Sequence, residues 1–217
     1  MRTLIFSESN KKDFDKIIAF IENERAGIVD FFNHINEAEY CSEIRKYDYI
    51  LIEYDGTIRK YLNMLKEIRD NNPDSEIIFF GKEVNFSNFS KYSKHMKYIN
   101  STSKIYEELL EKIKIELNKG KIRINTKTKK IWIKENNIET ELELDASIDF
   151  YILVYFIRHY NEKINIDRLL DAVSKEPELT KNSIAESSIS SIRKVFKKAM
   201  GKNPITSFKK VGYCFSI

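Results

Sequence analysis

Five short apolar runs alternate with segments of helical periodicity over the first 118 residues, and this alternation limits the possible folds more than any other feature. The runs are Thr3–Phe6, Gly27–Phe32, Tyr49–Ile52, Glu76–Phe80 and Tyr98-Ile99. Lys11–Glu24 carries Phe14, Ile17, Ile18 and Ile21 at helical spacing, and Asn36–Lys46 offers Asn36 as a cap. Ile58–Arg69 carries Leu62, Leu65 and Ile68, and Phe86–His95 is a weaker helical stretch. Ser103–Asn118 places Ile105, Leu109, Ile113 and Leu117 on one side. Parallel strands need a crossover of about a dozen residues or more, which a helix supplies. The pattern therefore predicts an α/β doubly wound, five-stranded parallel sheet covered on both faces. Chemistry in such a sheet gathers at the carboxyl ends of the strands. Those ends hold Ser7-Glu8, Glu53, Gly81 and Ser101.

Lys119-Gly120-Lys121 is a short polar stretch with glycine, and it divides the chain into residues 1–118 and 119–217. Beyond it, Ile122–Ile124, Lys130–Ile133 and Thr140–Leu144 alternate as strands of a small antiparallel sheet, with Asn136-Asn137 as a turn. Asp145 or Ser147 caps a helix whose stripe is Phe150, Leu153, Val154 and Ile157, and a shorter helix follows at Ile166–Val173. Asn182 or Ser183 then caps a helix that runs to Met200 and stops at Gly201, with Glu186 completing a capping-box pattern. Its apolar face is Ile184, Ala185, Ile189, Ile192, Phe196 and Ala199. The opposite stripe is Ser183, Ser187, Ser190, Ser191, Lys194 and Lys198. Ile205–Phe208 and Tyr213–Phe215 follow as strands, with Lys209-Lys210-Val211-Gly212 as a basic hairpin tip.

Charge singles out the same region. The whole chain carries a formal net charge of only +4. Residues 1–118 sum to −3, residues 119–180 to zero, and residues 181–217 to +7. A structured basic element is the electrostatic footprint of a nucleic-acid surface. Small hydroxyls let a helix approach a groove closely, and Lys and Arg meet phosphate.

Other classes fall away. Cys41 and Cys214 do not make a disulfide framework, and they fit a reduced compartment. With His34, His95 and His159 they show no metal-ligand spacing, so no metal, cofactor or catalysis is expected. The longest apolar run, Phe150 to Ile157, is far short of the ~20 residues of a membrane helix. The first residues turn polar at Ser7-Glu8-Ser9, too soon for a signal-peptide core. A cytoplasmic protein without membrane contact is expected.

The segment Ala185-Glu186-Ser187-Ser188-Ile189-Ser190-Ser191-Ile192-Arg193 resembles the recognition-helix pattern V-x-V-x-I-x-x-L-R of OmpR/PhoB-type response regulators. Ser207-Phe208-Lys209-Lys210-Val211-Gly212-Tyr213-Cys214-Phe215 resembles their wing, T-V-R-x-x-G-Y-x-F. The first half resembles their receiver (CheY-like) domain, and together the two resemblances span almost the whole chain. They imply a C-terminal α+β winged helix-turn-helix that binds double-stranded DNA at repeated promoter half-sites. The DNA-contacting set would be Ser183, Ser187, Ser188, Ser190, Ser191, Arg193, Lys194, Lys198, Lys209 and Lys210. Arg193 either meets phosphate or pairs inside the domain.

In the receiver family an acidic pair binds Mg²⁺, an Asp accepts phosphate, and a Ser/Thr and a Lys complete the pocket. Ser7-Glu8, Glu53, Gly81 and Ser101 stand at those positions here, so the pocket is degenerate. Glu53 either mimics a phosphorylated Asp or is a polar residue without a switch role. The resemblance is to atypical orphan members that work without phosphorylation, here as a homodimer paired through the receiver-like domain. Lys112 lies near the family's basic dimer-face residue, while Lys97 replaces an acidic one. RNA polymerase is a candidate further partner. The alternatives are a phosphorylation-switched regulator and a replication-origin or architectural DNA-binding protein.

Overall fold

The structure is a computed structural model that describes residues 1–9, 11–113, 116–135, 138–175 and 181–216, without the side chains of Glu111 and Lys112. The Asn136-Asn137 turn and the Lys112 side chain therefore lie outside the described residues. Contacts divide the chain into two compact units, Met1–Glu22 with Ile28–Ile113 and Asn23–Gly27 with Lys114–Ile217.

The first unit is the doubly wound sheet. Its strands are β1 (Arg2–Phe6), β2 (Ile28–Phe32), β3 (Tyr49–Tyr54), β4 (Glu76–Gly81) and β5 (Met96–Tyr98). They are ordered β2-β1-β3-β4-β5 and all pair in parallel. Side chains alternate across a strand, so each apolar run feeds two cores. Leu4, Phe6, Ile50, Ile52, Ile77 and Phe79 face α2 (Ile35–Ile44) and α3 (Ile58–Asn71). Ile5, Leu51, Ile78 and Phe80 pack with Phe14, Ile17 and Phe20 of the first helical segment. Ile105 and Leu109 of α4 (Thr102–Lys112) join that second core. Arg2 is fully buried in β1, and its Nη2 donates to Asp30 Oδ1 on β2 at 3.0 Å. A buried charge needs such a partner.

Several helical expectations are corrected: His34 rather than Asn36 is the N-cap of α2, Ala146 rather than Asp145 or Ser147 precedes the helix that begins at Ser147, and the stretch from Phe86 is a 3₁₀ helix ending at Tyr92. Lys11–Glu24 is a 3₁₀ turn at Lys11–Phe14, then α1 (Asp15–Ala19), then a π turn at Phe20–Glu24. Its buried residues are Phe14, Ile17, Phe20 and Ile21, so the winding tightens before α1 and loosens after it while one side stays on the sheet. The last helix stops at Lys112 rather than Asn118, because Leu117 belongs to β6 (Glu116–Lys119), where it pairs with Ile124. Ile113 and Leu117 share helical spacing only by coincidence, since they feed different cores.

The second unit opens with an antiparallel sheet of β6, β7 (Ile122–Asn125), β8 (Lys130–Glu135) and β9 (Ile138–Leu142). Ile122, Ile124, Ile131 and Ile133 face its core. Three helices follow: α5 (Ser147–Arg158), α6 (Ile166–Val173) and α7 (Asn182–Met200). A second sheet, ordered β10-β12-β11, holds β10 (Lys163–Ile164), β11 (Ile205–Phe208) and β12 (Gly212–Phe215). Phe196 of α7 meets Phe215 of β12 edge-on at 5.8 Å, which packs α7 against this sheet. The fold is thus an α/β sheet unit followed by an α+β unit with a helix and a C-terminal hairpin. Among the described residues no helix is long and apolar enough to cross a membrane.

Candidate functional site

Burial fixes which side of α7 is free. Ala185, Ser188, Ile189, Ile192, Phe196 and Met200 point into the core. Ser183, Ser187, Ser190, Lys194 and Lys198 are exposed, and one full turn or nearly so separates each from the next. Ser191 is half-buried at the edge of that stripe. Ser188 is corrected: it is 4% exposed and lies beside Ile189 on the inner face, so it cannot reach a ligand as its neighbours can. Ile184 and Ala199, expected inside, are outside. The helix is longer than the apolar stripe that anchors it, which begins at Ala185.

The ends of α7 differ from expectation in one respect. Lys181 occupies the N-cap, with no side-chain capping bond, and Asn182 is the first helical residue. The capping box is therefore absent. The C-cap is Gly201 at φ +68°, a left-handed residue that glycine adopts without strain.

The hairpin after α7 is built for a close turn. Val211 N–H donates to Phe208 O at 3.0 Å, and Lys210 takes φ +62° at the tip. Gly212 sits at φ +134°, where a Cβ would fall 2.0 Å from Ile164 O. No other residue fits between β12 and β10. Lys209 and Lys210 consequently stand exposed at the end of the hairpin.

Arg193 joins the two parts. Its Nε and Nη2 donate to Ile205 O at 3.1 and 2.9 Å, and Nη2 also donates to Ser207 Oγ at 2.7 Å. Its guanidinium lies 5.7 Å from the Tyr213 ring centre. The side chain thus ties the middle of α7 to β11 rather than projecting outward. Lys163 was not singled out by the sequence, because β10 has only two residues. Its Nζ lies 4.7 Å from the Phe208 ring centre, adding a cation beside the tip end of the hairpin.

The sheet edge of the first unit gathers a second set. Glu53, near the end of β3, accepts from Ser7 Oγ at 2.7 Å and from Ser9 Oγ at 2.7 Å. Ser9 N–H also reaches it, at 3.2 Å. The Glu8 carboxylate turns to Lys60 Nζ at 2.7 Å, and Lys60 also holds Asp55 at 2.8 Å. Lys60 enters from the first turn of α3, and nothing in its sequence neighbourhood connects it to Glu8, 52 residues earlier. Gly81 stands at φ +91°, where a Cβ would lie 2.9 Å from Tyr54 O. That conformation suits glycine better than serine or threonine. Ser101 is engaged elsewhere, as the N-cap of α4. Among the described residues no group of three His, Cys, Asp or Glu side chains is placed to hold a metal.

Burial pushes the Glu53 carboxyl up, but bonds from the Ser7 and Ser9 hydroxyls and the loop N–H groups outweigh it, and the net shift is downward. A carboxylate with a lowered folded value contributes stability above the ordinary carboxyl range and loses it as pH falls through the folded value. Glu53→Gln should therefore flatten the acid limb of stability. Urea midpoints measured from neutral to acid pH check this; an unchanged acid limb would show the hydroxyl cradle has no energetic role.

No protein-family model and no curated protein matches this chain. Solved structures do show a likeness to OmpR/PhoB-type response regulators. The Thermotoga maritima OmpR/PhoB homologue DrrB is 14% identical, covering 100% of this chain and 99% of its own, with a TM-score of 0.41. The DNA-binding domain of the response regulator AdeR, solved in complex with an intercistronic region, is 20% identical. That match covers 46% of this chain and 99% of the domain, with a TM-score of 0.42. The DNA-binding domain of Escherichia coli CadC is 25% identical over 48% of this chain and 94% of the domain, at a TM-score of 0.39. At such scores the likeness adds nothing to strand order and helix placement, which define the two folds by themselves.

Proposed function

We propose that this chain is a sequence-specific DNA-binding transcription regulator, with the second unit as the DNA-binding domain and the first as a receiver-like pairing domain; the Lys119-Gly120-Lys121 stretch expected to divide them is instead the β6–β7 turn inside the second unit. One observation carries the reading: Arg193 ties α7, which bears the exposed Ser and Lys stripe, to β11, the strand that leads into Lys209-Lys210. In this reading α7 enters the major groove, as a recognition helix does. Ser183, Ser187 and Ser190 face bases or phosphates, and Lys194 and Lys198 face phosphates. Lys209 and Lys210 reach the next phosphates or the minor groove. Arg193 is a positioning residue, and its carbonyl and hydroxyl partners favour that over a phosphate contact. The test is selection of duplexes from a random pool by the full chain, followed by salt titration of the winners. Recovery of a recurring half-site supports the reading. Failure to retain any duplex at ~100 mM salt, where a nanomolar binder persists, sinks it.

The reading includes activity without Asp phosphorylation. Glu53 already has its hydrogen-bond partners in Ser7 and Ser9, and Lys60 ties Glu8 to Asp55. Incubation with acetyl phosphate and Mg²⁺ should add no phosphoryl mass; an adduct on this unit would restore the switched alternative.

Pairing through α4 is the final element. Lys97 is held within the unit by Glu76 and Glu108, which leaves apolar contact to join two copies. Leu110 is 40% exposed on α4 and is the natural centre of such a face. Leu110→Asp is expected to convert a dimer to a monomer in sedimentation, with an unchanged melting temperature at the monomer level. A variant that still sediments as a dimer would move the pairing surface elsewhere.

A further inference from the structure

We propose that Ile184 reads the C5-methyl group of a thymine and thereby directs the α7 surface to a thymine-containing half-site. The inference rests on the DNA-binding reading above and deepens it.

A lone exposed isoleucine needs no special explanation. What makes Ile184 informative is the company it keeps. It is 41% exposed in the first turn of α7, the part of a recognition helix that meets base edges. It shares one side of the helix with Ser187 and Ser191, three and seven residues on. Ala185, its neighbour in sequence, begins the buried stripe, so Ile184 is held outward by the phase of the whole helix.

The other groups on this face discriminate poorly. Arg193, the one arginine of α7, has its guanidinium committed to Ile205 O and Ser207 Oγ. Serine hydroxyls donate or accept and so tolerate any base edge. Lys194 and Lys198 lie in the later turns, placed for phosphates. Glu186, an acceptor able to meet cytosine, stands two residues from Ile184 and therefore on the far flank. In the major groove thymine is the base that presents an apolar group. A contact between the Ile184 side chain and that methyl is then the most selective interaction this face can make.

The experiment uses the full chain and the duplexes it selects. Each thymine of the half-site is replaced singly by uracil, which lacks the methyl and leaves pairing and minor groove unchanged. At one or two positions the substitution should weaken binding about four-fold, the value of one buried methyl contact. Ile184→Ala should lose that sensitivity, binding thymine and uracil duplexes alike. Val211→Ala should retain it, because Val211 lies at the hairpin tip and is 48% exposed there, away from α7. Both side chains are outside the core, so thermal melts should match the parent. Uracil substitutions that are neutral throughout overturn the inference while leaving DNA binding intact. A uracil penalty that persists in Ile184→Ala also overturns it, assigning the methyl contact to another residue. If no duplex is selected at all, the DNA-binding reading itself fails, and this inference with it.

Discussion

Aspartate at Ser187 and Ser190 together should cut affinity for the selected duplex at least about 100-fold, because like charges facing one another across an interface cost several kcal/mol. Both hydroxyls are exposed on the outer stripe of α7, so the fold itself has little to lose. Substitutions at such surface positions usually shift stability by no more than about 0.5 kcal/mol. A matching substitution one residue inward makes the contrast. Ser188→Asp would place a carboxylate on the core side of the helix and would lower the melting temperature sharply. Fluorescence anisotropy with labelled duplex, run beside thermal melts, separates the two outcomes. The outer pair should lose binding and keep the melt, whereas the inner variant should lose the melt. Retained binding in the outer pair would remove α7 from the groove and leave the basic hairpin without a recognition helix beside it.

Much of this surface was legible in the sequence because helices and strands have fixed periods. The Ser and Lys stripe of α7 and the stop at Gly201 follow from spacing alone. Other details of α7 escaped, Ser188 and Ile184 most clearly. Ser188 reads as polar and thus exposed, yet the phase set by Ala185, Ile189, Ile192 and Phe196 turns it inward. Ile184 reads as apolar and thus buried, yet the same phase turns it out. Residue type competed with geometry at both positions, and geometry prevailed because four large or tightly packed neighbours outweigh one side chain. The five-strand alternation was legible for the same reason. Strand ends were less so, since β5 begins at Met96 where pairing with β4 begins, not where the apolar run peaks.

Contacts between distant segments were not legible at all. Glu8 and Glu53 drew notice as acidic residues at strand ends, but their partners differ. Ser9 and Ser7 reach Glu53, while Lys60 reaches the Glu8 carboxylate from α3. Arg193 meets a backbone carbonyl twelve residues away on an edge strand. Backbone acceptors have no signature in side-chain identity, so a sequence left the role of Arg193 open between phosphate and domain. The three hydrogen bonds to β11 give it a structural use that accounts for its charge.

That structural use makes the basic hairpin a rigid partner of α7, and the consequence is measurable in salt. Each phosphate neutralised contributes about 0.9 to the slope of log affinity against log salt. Lys209→Ala with Lys210→Ala should therefore make the slope shallower by about 1.8 and weaken binding roughly 10- to 100-fold near physiological salt. The loss should be the same for selected and random duplexes, since phosphate contacts carry no sequence information. Val211 N–H and Phe208 O close the turn through the backbone, so the variant keeps the hairpin it is meant to test. Ser187→Asp with Ser190→Asp should behave differently, losing affinity for the selected half-site together with its preference over random DNA. An unchanged salt slope in the lysine variant would mean the hairpin does not touch the duplex. Arg193 would then be holding β11 for the sake of the domain core, and α7 would have to bind without a wing.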